Sequence, residues 1–566
     1  MRVRLRVLGA LFILVAFILV AQLYLVQIVR GEKYARDAVG QYVAPSSREE
    51  ERGNIFFTAR DGSLVAAAVM QRGWRLAIVP AAVRDPDAAY ATLSAVTPLD
   101  RERFFASAAK KNDPYEEVAF RLDDAQARAV RAKKISGVIL AQDEWRFYPG
   151  RELAAHAIGF VGYKGDSKTG LYGLERSYQE TLAWDTDGRS VNPFAEIFGH
   201  LGAAVSLDPT AHQGDIITTI EPSAQRQLEE TLDSVMKTYG PRLSGGIVMD
   251  PKTGEIVAIA GRPAFDPNAY NLETDPRVFG NPLVEGRYEM GSIMKPLTMA
   301  AGIDAGVVSP STRYTDTGCI EKSGKKVCNY DFKARGVVPM QEVLNQSLNT
   351  GVSFVADKMG HGVFVRYMRG YKLGEKTGID VPGEVAGDIS ALDYAADVDV
   401  ASASFGQGVA VSPVEMIRAL SALAGGGKLP SPHVVKAIRY ESGITRTVSV
   451  PGGPQVLKEG TAETVSTMLT TVFDKALLHG ELRQEHYSIA AKTGTAQIAI
   501  PGGGGYYEDR YLHSFFGYFP SHDPKFIVFL FAVEPHGVQY ASASLARPFL
   551  DLALFLIHHY EIPPDR

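Results

Sequence analysis

The stretch SIMKPLTMAAGI, Ser292 to Ile303, carries a single charge, Lys295, among residues that are apolar or small on every side. A helix apolar all round has to be enclosed by a domain, so this segment demands a sizeable folded core. It also places an ammonium where hydration is lost, and an unpaired buried ammonium is driven to release its proton. Pro296 is tolerated within a first helical turn, where its missing N–H would bond nothing. That sets Ser292 at the helix N-terminus, with Lys295 three residues on and on the same side. A hydroxyl next to a neutral amine, in the positive field of a helix start, is one way to make serine a nucleophile without histidine.

The chain contains its own controls for this pattern. Ser107/Lys110, Ser234/Lys237 and Ser323/Lys326 have the same spacing. Ser234 and Lys237 fall off the apolar stripe of Leu228, Leu232 and Val235, toward water. Ser107 precedes Lys110-Lys111-Asn112-Asp113-Pro114, and Ser323 lies in Lys322-Ser323-Gly324-Lys325-Lys326; both read as polar surface turns. None offers a dry pocket.

With 566 residues, 46% of them hydrophobic, the chain is sized for two or three globular domains. Its net charge of −5, with both signs interspersed, gives no footing for nucleic acid. Val7 to Val29 is an uncharged run of 23 residues preceded by Arg2, Arg4 and Arg6. It is long enough to cross a hydrocarbon core of about 30 Å, and arginine-rich flanks stay in the cytoplasm. The run exceeds a usual signal-peptide core, and no small-x-small cleavage site follows. The expectation is therefore one uncleaved anchor, N-terminus in, with the bulk of the chain outside the cytoplasmic membrane.

Behind that anchor the organisation divides into residues 1–30, tip and anchor; 31–215, an α+β pedestal without recognisable chemistry; and 216–566, an α/β domain. In the pedestal, Ile55-Phe56-Phe57, the turn Arg60-Asp61-Gly62 and Leu64 to Val69 read as a hairpin, and Asp123 to Ala132 as an aspartate-capped helix. In the larger domain a helix of about 16 residues is expected from Ser223. Two apolar strands flank Pro251-Lys252-Thr253-Gly254, one helix covers Met340 to Met359, and Ser412-Pro413-Val414-Glu415 forms a capping box. The two cysteines, Cys319 and Cys328, flank Lys322-Ser323-Gly324-Lys325. A hairpin there brings the thiols together, and an oxidising compartment joins them. A metal site lacks two further ligands nearby, and His558-His559 reads as a surface pair.

Two more motifs carry chemistry. Ser347-Leu348-Asn349 puts small polar groups beside apolar helix, and Ser190-Val191-Asn192 matches it in a loop. Ser347 offers a proton relay, and Asn349 a donor and an acceptor for an amide. The tripeptide Lys-Thr-Gly recurs at Lys168, Lys252 and Lys376, where turns explain it. Lys492-Thr493-Gly494 differs, because it interrupts a run with no other charge, from Tyr487 to Ile500. Glycine weakens a strand, and its usual reason is the close approach of a ligand or another backbone. Strand geometry puts Lys492 on one face and Thr493 with Thr495 on the other.

Taken in order, YEMGSIMKP, NQSLNTG and AAKTGTAQ resemble the three motifs of penicillin-binding proteins, with 55 residues from Ser292 to Ser347 and 145 from there to Lys492. The segments GDIITTIEPSAQRQLE, GGIVMDPKTGEIVAIAGRPAFDPN, FGQGVAVSPVEMIRALSALAGGG and HSFFGYFPSHDPKFIVFL are also similar to that family's transpeptidase domain. The anchor followed by RGNI, RFYPG and GLYGLE resembles the class B subgroup. Met290 stands where the family usually has proline, and GGGGYYEDRYLHSFFGYFP is closer to the division-type branch.

The resemblance implies an antiparallel sheet with helices on both faces and a D,D-transpeptidase that acts on peptidoglycan stem peptides and is acylated by β-lactams. Catalytic roles fall to Ser292, Lys295, Ser347 and Lys492; substrate-binding roles to Asn349, Thr493, Gly494 and Thr495. No cofactor is implied. A membrane-embedded polymerase of the shape, elongation, division and sporulation family is the expected partner. Two other readings remain at this stage. A serine β-lactamase or β-lactam sensor would need a deacylating water, and a pure membrane scaffold would have no use for these side chains.

Overall fold

The computed structural model describes residues 52–165, 167–183, 213–393, 396–448, 450 and 452–566. The expected anchor and Ser190-Val191-Asn192 lie outside the described residues.

The centre of the larger domain is a five-stranded antiparallel sheet, in the order Ala490–Ala499, Tyr506–Phe519, Phe526–Val533, Leu243–Met249 and Ile256–Arg262. Its central strand, Phe526–Val533, is apolar at every position because both faces are covered. Val528 and Leu530 face helices Pro222–Tyr239 and Ala541–His559, while Ile527, Phe529 and Phe531 join the core formed with Lys295–Asp304, Pro413–Ala424 and Glu459–Thr471. The capping box expected at Ser412 and Glu415 opens the second of these helices. Among the described residues one helix, Ala541–His559, is long and apolar enough to cross a membrane. Its apolar character is accounted for by packing on the sheet, with Leu545, Phe549, Leu552 and Leu556 fully enclosed.

The pedestal is built on a second sheet, and the predicted hairpin opens it: Ile55–Thr58 pairs antiparallel with the start of Leu64–Ile78. Glu116–Leu122 and Val138–Phe147 pair with the far part of that long strand. The aspartate-capped helix is present as Asp124–Ala132, with Asp123 and Gln126 in a reciprocal capping box. The division at 215/216 falls inside strand Gly214–Thr218, which runs parallel to Ile55–Thr58 on one side and antiparallel to Val435–Tyr440 on the other. One sheet therefore continues from the pedestal into the larger domain.

The three pedestal segments singled out in the sequence converge on one ion cluster. Glu175, fully buried, accepts from Arg52 Nε at 2.7 Å, Arg146 Nε at 2.6 Å and the Tyr148 hydroxyl at 3.2 Å. Burial pushes the Glu175 carboxyl up, but the two guanidiniums outweigh it and hold it below the ordinary glutamate value.

Two local expectations are corrected. Lys168-Thr169-Gly170 lies in a short strand, Ser167–Gly170, that pairs with Val161–Lys164 rather than in a loop. The single helix expected over Met340 to Met359 is two, Met340–Asn345 and Asn349–Met359, for a reason that belongs to the site.

Removing one member of a buried ion cluster strands the others without a counter-charge and costs about 3–5 kcal/mol. Glu175→Ala, which leaves two guanidiniums enclosed, is expected to lower the midpoint of urea unfolding by a corresponding amount. Arg72→Ala, whose side chain is exposed beside Glu144, changes it little.

Candidate active site

Ser292 lies ahead of the α-helix rather than at its N-terminus, where Pro296 suggested it. Gly291–Met294 forms a turn of 3₁₀-helix, and the α-helix begins at Lys295. The Lys295 N–H closes that turn on the Ser292 carbonyl. Side chains three apart eclipse each other in a 3₁₀ turn, so this geometry aligns Ser292 with Lys295 more directly than a helix would. Ser292 is half-buried, and among the described residues its hydroxyl has no hydrogen-bond partner. Lys295 is 1% exposed.

Ser347 breaks the predicted helix. Its N–H donates to Leu344 O at 3.4 Å and the Leu348 N–H to Val343 O at 2.9 Å, the paired bonds of a Schellman ending. The residue at the pivot must be left-handed, a place glycine normally fills. Here it is serine, at φ +55°. Strain of this kind persists where the surroundings over-determine it and marks a functional position. The result aims Ser347 Oγ between two amines: Lys295 Nζ lies 3.0 Å from it and Lys492 Nζ 3.1 Å. Lys295 also donates to Ser347 O at 2.5 Å, and Lys492 to Thr493 O at 3.0 Å.

Both amines are buried among the described residues with no carboxylate bonded to either. Burial drives the Lys295 pKa well below the ordinary lysine value, and the neighbouring Lys492 lowers it further. Burial alone brings Lys492 down to about 7. Two amines on one hydroxyl titrate as a unit, and burial disfavours the charged form of both. The control pairs lack this environment. Ser234 and Lys237 are exposed, and Ser323 and Lys326 lie on an exposed hairpin. Ser107 proves buried rather than a surface residue, but it and Lys110 both donate to Glu116, at 2.8 and 2.6 Å.

Lys492 lies on edge strand Ala490–Ala499, whose outer side abuts the Ser292 turn. Gly494, grouped with substrate contacts by the resemblance, has no room for a side chain: a Cβ there would lie 2.3 Å from Ser514 Oγ and 2.7 Å from Met290 O. The second reason for a strand glycine, approach of another backbone, applies. Two supports escaped sequence reasoning. Ser514 Oγ donates to Met290 O at 2.8 Å, and Gly406 O accepts from Gly291 N at 3.1 Å. Gly406 itself has room for no side chain, since its Cβ would meet Gly291 O at 2.3 Å. Their sequence signals are slight, one small residue in an aromatic strand and one glycine in a loop.

Asn349 opens the second helix and donates from Nδ2 to Cys328 O at 2.8 Å. Cys319 and Cys328 face each other across the predicted hairpin and are joined. Thr495 Oγ1 accepts the Ala541 N–H at 3.1 Å, which leaves its own proton to donate. Thr493 is half-buried on the same strand face.

A family model described as "Penicillin binding protein transpeptidase domain" matches residues 245–553, and one described as "Penicillin-binding Protein dimerisation domain" matches 47–193. The chain belongs to the penicillin-binding protein transpeptidase family, in the class B arrangement of a dimerisation domain followed by a transpeptidase domain. It is 29% identical to Stage V sporulation protein D of Bacillus subtilis over 95% of this chain and 83% of that protein. It is 27% identical to the penicillin-binding protein PbpB of Mycobacterium tuberculosis, over 98% of this chain and 85% of that one. Among solved structures, penicillin-binding protein 3 of Mycobacterium tuberculosis complexed with aztreonam superposes with a TM-score of 0.69 at 24% identity, covering 91% of this chain and 97% of that chain. Penicillin-binding protein 2X of Streptococcus thermophilus gives 0.72 at 21% identity, covering 91% and 80%.

The Lys492 pKa yields a stability prediction. The unfolded chain holds this proton up to pH 10.5, the folded chain up to about 7. Between those values the unfolded state binds more protons, so stability rises with pH. Lys492→Met is expected to be more stable than the wild type in urea unfolding. The margin should be widest below pH 7 and shrink toward pH 10; a margin that stays constant or widens contradicts the assignment.

Proposed function

We propose that this protein is a serine D,D-transpeptidase that cross-links peptidoglycan stem peptides outside the cytoplasmic membrane and is acylated by β-lactams. The observation that carries the reading is Ser347 Oγ held within 3.1 Å of both buried amines, next to the Ser292 turn. Family membership supports it, and so does a relative named as a probable peptidoglycan D,D-transpeptidase, PbpC of Pseudomonas aeruginosa, at 27% identity over 78% of this chain and 76% of that one.

In this mechanism Ser292 Oγ attacks the carbonyl carbon of the penultimate D-alanine, and its proton passes to the neutral Lys295 Nζ. The backbone N–H groups of Ser292 and Thr495 hold the oxyanion, a kind of contact whose loss costs about 3–4 kcal/mol. The closeness of Gly291 to the Thr495 backbone, 3.1 Å from a would-be Cβ, supports that pairing. The tetrahedral centre collapses by breaking the C–N bond. The leaving D-alanine nitrogen takes a proton relayed from Lys492 through Ser347. Asn349 orients the donor's amide, and Thr493 and Thr495 bind its terminal carboxylate. The amine of a second stem peptide then attacks the ester carbon and gives up a proton through Ser347 to Lys492, the C–Oγ bond breaks, and Ser292 recovers its proton from Lys295.

The apolar run Val7 to Val29 supports a single-pass anchor, and the pedestal supports a partner within the bilayer, a glycan polymerase of the shape, elongation, division and sporulation family. A division role fits the glycine-rich segment after Lys492.

A fluorescent penicillin should label the full-length protein on the peptide that contains Ser292, and Ser292→Ala should remove the label entirely. Undiminished labelling of that variant refutes the proposal. Lys295→Arg should abolish labelling from pH 6 to 9, since a guanidinium stays protonated throughout, whereas the wild type should react readily at pH 7.

A further inference from the structure

Two tyrosines outside the three motifs meet edge to face, Tyr330 and Tyr540, with ring centroids 5.7 Å apart and planes at 78°. They are 51% and 41% exposed. Each is tied to a different wall of the site. Tyr330 follows Cys328, whose carbonyl takes the Asn349 side chain. Tyr540 precedes Ala541, whose N–H is bound by Thr495 Oγ1. The walls are joined a second time where Ser347 meets Lys492. The contacts therefore close a circuit, from Ser347 through Lys492 and Thr495 to Tyr540, across to Tyr330, and back through Asn349. The space inside that circuit is where the proposed mechanism seats the acyl donor.

The Tyr330 side is braced. Arg335 stacks over its ring at 5.9 Å, is gripped at both ends by Asp331, and donates from Nε to Gln346, the neighbour of Ser347, at 2.9 Å. The contact between the rings is different. It is exposed and has no hydrogen bond across it among the described residues, so an inserted chain can replace it with contacts of the same kind. Half-exposed aromatics at the rim of a cleft fit a ligand better than a core.

We propose that Tyr330 and Tyr540 are specificity-determining residues of the acyl-donor site: a clasp that the entering donor parts, its peptide chain then lying between the two rings. The inference rests on the transpeptidase reading. A donor with a peptide side chain regains on the rings what it loses in opening them. A bare β-lactam nucleus parts the rings on entry but carries no chain to lie between them, and does not.

The test measures the second-order rate constant for acylation of Ser292 in the full-length protein in detergent, by mass spectrometry, with two agents. One is 6-aminopenicillanic acid; the other is a penicillin bearing a stem-like peptidyl chain. Tyr330→Ala and Tyr540→Ala should each speed the reaction with the bare nucleus about two- to tenfold, the range set by an edge-to-face pair. Each should also lower the ratio of the peptidyl agent to the bare one. The double variant should gain no more than either single one, and Tyr330→Phe, which keeps the ring, should behave as wild type. Rate constants unchanged for both agents, or shifted by one common factor, overturn the clasp while leaving the transpeptidase reading intact. A wild type that forms no adduct at Ser292 overturns both.

Discussion

Two amines on one hydroxyl, with no carboxylate bonded to either among the described residues, set the terms for the rest of the catalytic half. Lys295 and Lys492 both reach Ser347 Oγ within 3.1 Å, and two protonated lysines at that spacing in a dry enclosure repel each other. One has to be neutral, and a neutral lysine beside a serine is a base. The wrapped helix, the sheet edge and the loop at Ser347 all exist around that conflict. Each contributes one of the three groups, and the serine does so from an unfavourable backbone torsion.

What holds the conflict in place is absent side chains as much as present ones. Gly291, Gly406 and Gly494 meet where the Ser292 turn, the Phe405-Gly406 loop and the lysine strand converge, and a Cβ on any of the three would lie within about 3.1 Å of its neighbours. Backbone packed on backbone has little slack, which fixes Ser292 relative to Thr495 more tightly than side-chain contacts would. The pedestal is coupled to this assembly through strand Gly214–Thr218, since the same sheet includes Ile55–Thr58 and Val435–Tyr440. It is therefore more than a spacer hung on a flexible linker.

Much of this was legible in the residues. Lys295 stood out because one charge in an apolar helix has few explanations, and Lys492 because it interrupted an uncharged strand. The hairpin of Cys319 and Cys328, the helix caps at Asp123 and Ser412 and the central strands followed from turn chemistry and period. The break at Ser347 did not, since nothing in VLNQSLNT calls for a left-handed residue and local propensity favours one continuous helix. Ser107 was misplaced for a similar reason: the Glu116 that pairs with it arrives from a strand, and sequence neighbours alone suggested a turn. Gly494 was recognised as unusual, but only the fold shows that Met290 and Ser514 are its close neighbours. Long-range partners are what periodicity cannot supply.

The left-handed serine has a consequence for anyone who would strengthen this protein. At position 347 backbone energetics favour glycine, and a search for sturdier sequences guided by conformational preference would install it. The chain would shed the strain of a left-handed serine and lose the hydroxyl through which two nitrogens communicate. Durability and chemistry diverge at that one residue, and the unfavourable torsion records which of them the molecule has kept.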